Sequence, residues 1–289
     1  MAVIRDTYGG TAEWLDADAI AADHFNGTEA FAALRFPDAV GLHPLKYVQG
    51  LLRMTRATGA TAHSASPVTA VRRDGDARIL ETPGGCVRAK QVALAVNGYG
   101  VELDRATRGR ILPVLSDIVV TRPMTPAEKA EAKFVTSHMM SDTRELLNYF
   151  RRLPDDRILL GSRGPLRPTR SALDRHREEL LATIRRKFPA LRDITAEYFW
   201  GGWVAITLDS MPHVASAEDD PQLHYAMGFN GTGVSAATQA GRRMAERVLG
   251  GDNVHPALRG PIPRMPFAAF RRVGQAAMVQ LLRWRDERD

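Results

Sequence analysis

Residues 222–250, QLHYAMGFNGTGVSAATQAGRRMAERVLG, decide how the rest of the chain is read. An apolar run with strand character, 223–227, passes through Gly228-Phe229-Asn230-Gly231-Thr232-Gly233 into a segment where Val234, Ala237, Ala240, Gly241, Met244, Ala245 and Val248 recur at helical spacing. A strand ends, glycines turn the chain, and a helix begins. Unpaired N–H groups and the positive end of a helix dipole converge at such a junction, and glycines let a flat or anionic ligand approach the main chain closely. The expected guest is an electron-rich oxygen or a phosphate. Gly231-x-Gly233-x-x-Ala236 satisfies the letter of the dinucleotide fingerprint, which carries weight only when a second parallel strand brings an acidic residue about 20 positions downstream. Here the helix runs instead into Gly250-Gly251-Asp252-Asn253 and then Pro256, Pro261, Pro263 and Pro266, where no strand fits. The same pattern also suits a glycine turn that closes an ordinary core helix.

A second informative stretch covers residues 41–100. His43-Pro44 opens a helix with Leu45, Val48, Leu51, Leu52, Met54 and Thr55 on one face and Gly59 as its stop. Short alternating strands follow at 68–73, 77–81 and 87–88, separated by turns at Asp74-Gly75 and Pro83-Gly84-Gly85. A buried apolar strand, 91–96, is then broken by Asn97-Gly98-Tyr99-Gly100.

With these blocks in place, the chain resembles the FAD-dependent oxidoreductases of the D-amino-acid-oxidase type, including sarcosine oxidase-like and gamma-glutamylputrescine oxidase-like enzymes. The resemblance runs from about Gly41 to the end. It rests on HPLKYVQGL, PVTAV with TPGGCVRAKQVALAVNGYG, NYFRRLPDDRILLGSRG, TLDSMPHV and GFNGTGVSAATQAGRRMAERVLG, five blocks in family order. It implies that Val68 meets the adenine end of FAD through its backbone and that Asn97 and Gly98 lie against the cofactor. It further implies that the turn of Gly228, Gly231, Thr232, Gly233 and Val234 points N–H groups at the pyrimidine side of the flavin ring. Hydride arrival leaves negative charge there, which a helix N-terminus stabilises.

Family members begin with a βαβ unit whose G-x-G-x-x-G turn cradles the FAD pyrophosphate. The first residues here, MAVIRDTYGGTAEWLDADAIAADH, read instead as a short polar start and a helix capped by Asp16, with Leu15, Ala19 and Ile20 as its apolar members. Relative to the family the chain is therefore expected to start inside the protein. FAD binding, non-covalent in kind, is expected to be weak or lost without the pyrophosphate cradle.

A hydrophobic content of 44% over 289 residues supports a substantial core, and one cysteine, Cys86, excludes an internal disulfide framework and any multi-cysteine metal site. No run of about 18 apolar residues occurs, so no transmembrane helix is expected. Nor does a secretory signal layout open the chain; a cytoplasmic protein is expected. The net charge of +6 comes from arginines dispersed along the chain without an aromatic stacking platform, so nucleic acid is not an expected partner.

Between Pro113 and Met211 the alternation changes register, as for an inserted domain. Residues 112–123 read as a strand, and Thr125 caps a short helix with Pro126 at its first position. Two strands flank a Pro154-Asp155-Asp156 turn, 171–188 is an amphipathic helix, and 194–209 is a strand rich in aromatic and β-branched residues. The expected fold is α/β with α+β, an incomplete FAD-binding Rossmann-like domain interleaved with an antiparallel-sheet substrate domain. Residues 41–112 and 211–250 make up the remaining FAD-binding domain and 1–40 with 113–210 the substrate domain. Residues 251–289 are a proline-punctuated tail ending in a basic amphipathic helix, with Phe270, Val273, Ala277, Leu281 and Trp284 on one side; docking on its own domain is expected of it.

Substrate-side candidates are His43, Tyr149, Arg163 and Trp200. His43 suits acid–base work or a helix cap; Arg163 suits an acidic substrate through its fork of donors, or a surface ion pair; Tyr149 and Trp200 suit a pocket lining or a core. His176, in an arginine-rich helix, is expected to be solvated, and no metal site or catalytic triad is evident. Gly202 stands where sarcosine oxidase-like members carry their flavin-linking cysteine. Ser235 replaces their carboxylate-binding lysine and Leu159 a lysine tied to oxygen activation, which brings the chain nearer the gamma-glutamylputrescine oxidase-like branch. The implied activity is oxidation of a C–N bond in an amine or amino-acid-like substrate by hydride transfer to flavin. Two other readings stand beside it, a non-catalytic truncated remnant or interaction module of the same fold and a nucleotide-binding or nucleic-acid-binding protein of another kind.

Overall fold

The structure is a computed structural model that describes residues 2–286 and 288. The chain opens with α1 (Ala2–Tyr8), β1 (Glu13–Asp16), α2 (Ala17–Asp23), β2 (Ala32–Arg35) and α3 (Pro44–Ala57). Strands β3 (Ala70–Asp74), β4 (Ala77–Thr82), β5 (Gly85–Ala89), β6 (Val92–Leu94) and β7 (Leu112–Thr121) follow, then α4 (Pro126–Ala132). Next come β8 (Met140–Ser141), β9 (Tyr149–Arg152), β10 (Ile158–Arg163) and α5 (Arg170–Lys187). The last part holds β11 (Ala196–Ile206), β12 (His213–Ala217), β13 (Asp220–Met227), α6 (Gly233–Val248) and α7 (Arg271–Asp286). Helix α1 replaces the polar start read from the sequence.

Two compact units divide the chain, Met1–Leu42 with Ser116–Gly202 and Val279–Asp289, and His43–Leu115 with Trp203–Met278. The first is built on an antiparallel sheet in the order β11-β7-β10-β9-β8. Period-2 alternation turns Val119, Phe150, Ile158 and Leu160 to one face, where they pack with Leu180, Leu181 and Ile184 of α5. Phe25, Phe134, Phe150 and Phe188 close this core with ring centroids 5.2–6.1 Å apart. Below them Lys187, 4% exposed, pairs with Glu29 at 2.7 Å and Asp142 at 3.0 Å. Burial opposes the charge on Glu29, yet Lys187, Arg186 and Arg144 hold its pKa down at about 2. Helix α4 starts with the capping box that Thr125 and Glu128 announce, each side chain bonded to the other's backbone N–H.

The second unit centres on a sheet in the order β12-β13-β6, where β13 runs parallel to β6 and antiparallel to β12. Both faces of β13 are covered, so its sequence is a continuous apolar run. Leu223, Tyr225 and Met227 join Val92, Leu94, Ile111, Ala205 and Ile262 on one side, and Ala226 joins Val214, Phe229 and Ala240 of α6 on the other. The meander β3-β4-β5 stands beside it as a separate antiparallel sheet. Its buried Arg78 is held by both carboxylate oxygens of Asp220.

Two expectations, for α7 and His176, are corrected, and the apolar face of α3 finds no cover. Helix α3 buries none of its residues, and Leu45, Val48 and Met54 of its apolar stripe are exposed; its anchor is the Tyr47 hydroxyl, 2.6 Å from Thr238 on α6. In α7 the apolar side that was expected to dock is exposed at Phe270, Val273, Leu281 and Trp284, and the buried residue is Gln275. His176 is buried, because α5 lays it over the sheet toward Asp117. In each case periodicity marks an amphipathic helix without specifying which neighbour covers it.

Candidate functional site

Two bends leave neighbouring parallel strands at the same end. The pairing of Leu223, His224 and Tyr225 with Val92, Ala93 and Leu94 carries β13 into Gly228 and β6 into Asn97 side by side. This is the carboxyl end of a parallel sheet, where open α/β folds bind ligands. Both bends rest on the last residues of β11. A Cβ at Gly98 would fall 2.6 Å from the Trp203 carbonyl oxygen, so only glycine fits there. Asn230 donates its backbone N–H to the Ala205 carbonyl at 3.0 Å, and its Oδ1 accepts from the Thr207 N–H at 3.0 Å.

The second bend holds its shape through left-handed residues, Gly228 at φ +80°, Asn230 at +52° and Gly231 at +99°. The Asn230 amide closes on Thr207 and the Gly228 carbonyl, and Thr232 bonds by both N–H and hydroxyl to the Phe229 carbonyl. Among the described residues the N–H groups of Gly231, Gly233 and Val234 find no acceptor, and Thr232 caps α6 with no side-chain bond. Ser235 turns its hydroxyl back to the Thr232 carbonyl at 2.8 Å. Three free donors thus share one point with the positive end of a 16-residue helix.

At the first bend Asn97 has φ +45°, and its buried Oδ1 has no partner. The Tyr99 hydroxyl accepts from the Trp203 N–H at 3.2 Å, and the Arg272 guanidinium lies 5.5 Å above the Trp203 ring. Val68 precedes β3 in the meander, half-buried, and its backbone N–H and carbonyl make no bond among the described residues. The orphaned amides suit an acceptor-rich ligand edge, and the unpartnered Asn97 oxygen suits a donor. A G-x-G-x-x-G turn for a pyrophosphate is not among the described residues.

His43 is the N-cap of α3, its Nδ1 accepting from the Lys46 N–H at 3.4 Å, which gives it a structural task.

The first unit presents the other candidates. Ser116, Gly161, Arg163 and Tyr149 share the sheet face opposite α5, since Arg163 pairs in register with Ser116 and Gly161 with Tyr149. The Tyr149 hydroxyl lies 3.0 Å from Ser116 Oγ, and its ring lies so close over Gly161 that any Cβ there would overlap it. Burial pushes the phenol pKa up, against the Ser116 hydrogen bond that lowers it. Arg163 makes no hydrogen bond or ion pair among the described residues, and desolvation lowers its pKa. Trp200 on β11 is half exposed. Tyr149 and Arg163 are thus brought onto one face; Ser116 and Gly161, which complete it, carry no signal in a strand sequence beyond a polar side chain and a missing one.

Beneath that face lie groups the sequence reading did not single out. Asp117 is fully buried between Gly201 and His176, and neither of its carboxylate oxygens has a hydrogen-bond partner. Its one legible signal is a carboxylate inside the apolar run LPVLSDIVVT. Among the described residues no group of three or more His, Cys, Asp or Glu is placed to hold a metal, and no helix is long and apolar enough to cross a membrane.

The profile of the family described as FAD dependent oxidoreductase matches residues 1–247. The chain is 32% identical over 222 residues to the probable oxidoreductase OrdL of Haemophilus influenzae, covering 73% of this chain and 48% of that protein. It is 29% identical over 264 residues to the gamma-glutamylputrescine oxidoreductase of Escherichia coli, covering 90% and 59%. The chain therefore spans about half the length of the curated relatives it matches. In fold it is similar to the crystal structure of glycine oxidase from Geobacillus kaustophilus, with a TM-score of 0.73 at 18% identity over 91% of this chain and 69% of that one. With the family profile matching residues 1–247, the chain belongs to the FAD dependent oxidoreductase family, the D-amino-acid-oxidase (DAO) type.

Proposed function

We propose that this protein oxidises a C–N bond of an amine or amino-acid-like substrate by hydride transfer to FAD. The observation that carries the reading is the pair of bends at the ends of β6 and β13, with the N–H groups of Gly231, Gly233 and Val234 unpaired at the start of α6. When bound, FAD would supply a ring that takes the hydride from the carbon bearing the neutral amine; the iminium left on the substrate would be hydrolysed by water to a carbonyl compound, a proton and ammonia or an amine. The three N–H groups would hold the pyrimidine side and stabilise negative charge that gathers there. Asn97 and Gly98 would support the ring, and Val68 would receive the adenine through its backbone. With Gly202 in place of a linking cysteine, the cofactor is held non-covalently.

Tyr149 and Arg163 are the proposed substrate contacts. Tyr149, fixed by Gly161 and Ser116, offers a positioned hydroxyl, and the unpaired Arg163 guanidinium offers a fork of donors to an acidic substrate. Relatives named as gamma-glutamylputrescine oxidoreductase and glycine oxidase support amines and amino acids as the substrate class.

The test of the activity is anaerobic mixing of the FAD-loaded chain with a panel of amines and amino acids. Loss of oxidised-flavin absorbance together with one carbonyl product per flavin reduced is the expected result. Bound FAD that no amine reduces sinks the reading and favours an interaction module, for which the exposed apolar stripe of α3 is the supporting observation.

A further inference from the structure

Strand β7 carries different chemistry on its two faces. Ser116 and Asp117 are neighbours in a strand, so their side chains point to opposite sides of the sheet. On one side Ser116 Oγ meets the Tyr149 hydroxyl at 3.0 Å and donates to the Ser162 carbonyl at 3.2 Å. On the other, Asp117 fills the space that Gly201 of β11 leaves; a Cβ at Gly201 would overlap Asp117 Oδ1 and come within 3.2 Å of the Ser116 carbonyl oxygen. β11 lies against the Asp117 side chain only because position 201 has no side chain of its own. The same contact therefore fixes where Ser116 stands.

Asp117 is poorly solvated for a carboxyl. Its side chain is 1% exposed, and neither oxygen has a partner. The His176 Nε2, itself unpartnered, lies 3.9 Å from Oδ2, too far for a hydrogen bond. Burial of an unpaired carboxylate costs several kcal/mol or forces the group to keep its proton. Burial indeed pushes the Asp117 pKa up, against a smaller pull from His176. A leucine would fill such a space without that cost, and perturbed, desolvated acids cluster where a protein uses them.

We propose that Asp117 is a positioning residue for the Tyr149 hydroxyl: clasped between Gly201 and His176, it sets the strand that carries Ser116 and transmits its own charge to Tyr149. The groups that face it are few. Helix α5 presents His176, with Glu179 behind it at 3.2 Å from His176 Nδ1. Strand β10 presents the neutral Ser162 in register, β11 presents Gly201, and Tyr149 of β9 lies across the sheet. After burial and the Ser116 hydrogen bond, the charge of Asp117 is the next influence on the Tyr149 phenol, and it raises the pKa. Linkage makes this reciprocal, so ionisation of either group disfavours ionisation of the other. Any consequence for turnover rests on the reading of Tyr149 as substrate-facing; the contact network does not.

The test reads Tyr149 itself, so its failure is distinct from failure of that reading. In the full chain, uniformly labelled with carbon-13, the Asp117 carboxyl and Tyr149 Cζ signals are assigned through bonds and followed from the ordinary carboxylate range to above neutrality. The expected result is an Asp117 midpoint above that range, with Tyr149 Cζ shifting at the same midpoint. In Asp117→Asn the Tyr149 signal should stay near its low-pH position and lose that step. A Tyr149 signal that is flat through the Asp117 titration overturns the proposal, as does a step that persists in Asp117→Asn or an Asp117 midpoint in the ordinary range. Because the first reading is made on the unsubstituted chain, failure of the variant to fold does not remove the test.

Discussion

Asp117 is buried without a hydrogen-bond partner, so its ionisation bears on stability. Its folded pKa is raised, so the stability it contributes is complete below the unfolded carboxylate value of about 3.9 and is lost as pH rises through the raised native value. Within that window the unsubstituted chain should lose up to about 1.4 kcal/mol per pH unit relative to Asp117→Asn, which does not titrate, and the difference should level off above it. Denaturant unfolding of both proteins across that window measures this, and parallel curves contradict it. Gly161 gives a second expectation. Because the Tyr149 ring occupies the space a Cβ needs, Gly161→Ala should destabilise the chain by about 1–3 kcal/mol through overpacking and move the Tyr149 signal away from its Ser116-bonded position. Equal stability with an unmoved tyrosine contradicts the arrangement. Neither residue announced itself in the sequence. A glycine or an aspartate in a strand reads as weak propensity, and its reason lies on another strand: Tyr149 for Gly161, Gly201 for Asp117.

Elements whose ends are fixed by local chemistry were legible. Thr125-Pro126-x-Glu128 and His43-Pro44 each mark a helix start that the structure keeps, as does Asp16, whose side chain accepts from the Ala19 N–H. The α4 cap is the best place to measure such a device. Arg122 pairs with Glu128 through both nitrogens at 2.7 Å, and that pair, with the Thr125 bonds, holds the Glu128 pKa at about 2 against desolvation. A depressed carboxylate contributes stability that is present above its unfolded pKa and lost as pH falls, so the contribution should disappear between about pH 4.3 and about 2. Thr125→Ala should cost about 0.5–2 kcal/mol, and its unfolding midpoint in denaturant reads this directly. What periodicity did not reveal is cover. The apolar stripes of α3, α6 and α7 are all legible in the sequence, yet of these three helices α6 is the one packed into the core of the sheet that holds β13.

Across the whole molecule, the chain passes between its two units at Leu42, Leu115, Gly202 and Met278, so neither unit is a continuous segment of sequence. Strand β11 is divided between the units. Its first residues belong to the unit that holds Tyr149 and Arg163, and its last carry the carbonyls of Trp203 and Ala205 against which the two bends rest. The glycine turns themselves were visible in the sequence because φ values of +80° and +99° demand glycine. The Asn230 brace onto Thr207 and Ala205 was not, since it joins segments that only the fold brings together. The central claim is that the bends at Asn97 and Gly231 form one receptor for the flavin ring. A nitrogen-15 amide titration of the full chain with FAD tests it most directly, because weak binding still moves signals. The N–H groups of Gly231, Gly233 and Val234 should shift first and together with those of Asn97 and Gly98. Saturating FAD that leaves those five unmoved, or perturbs only distant amides, contradicts the account.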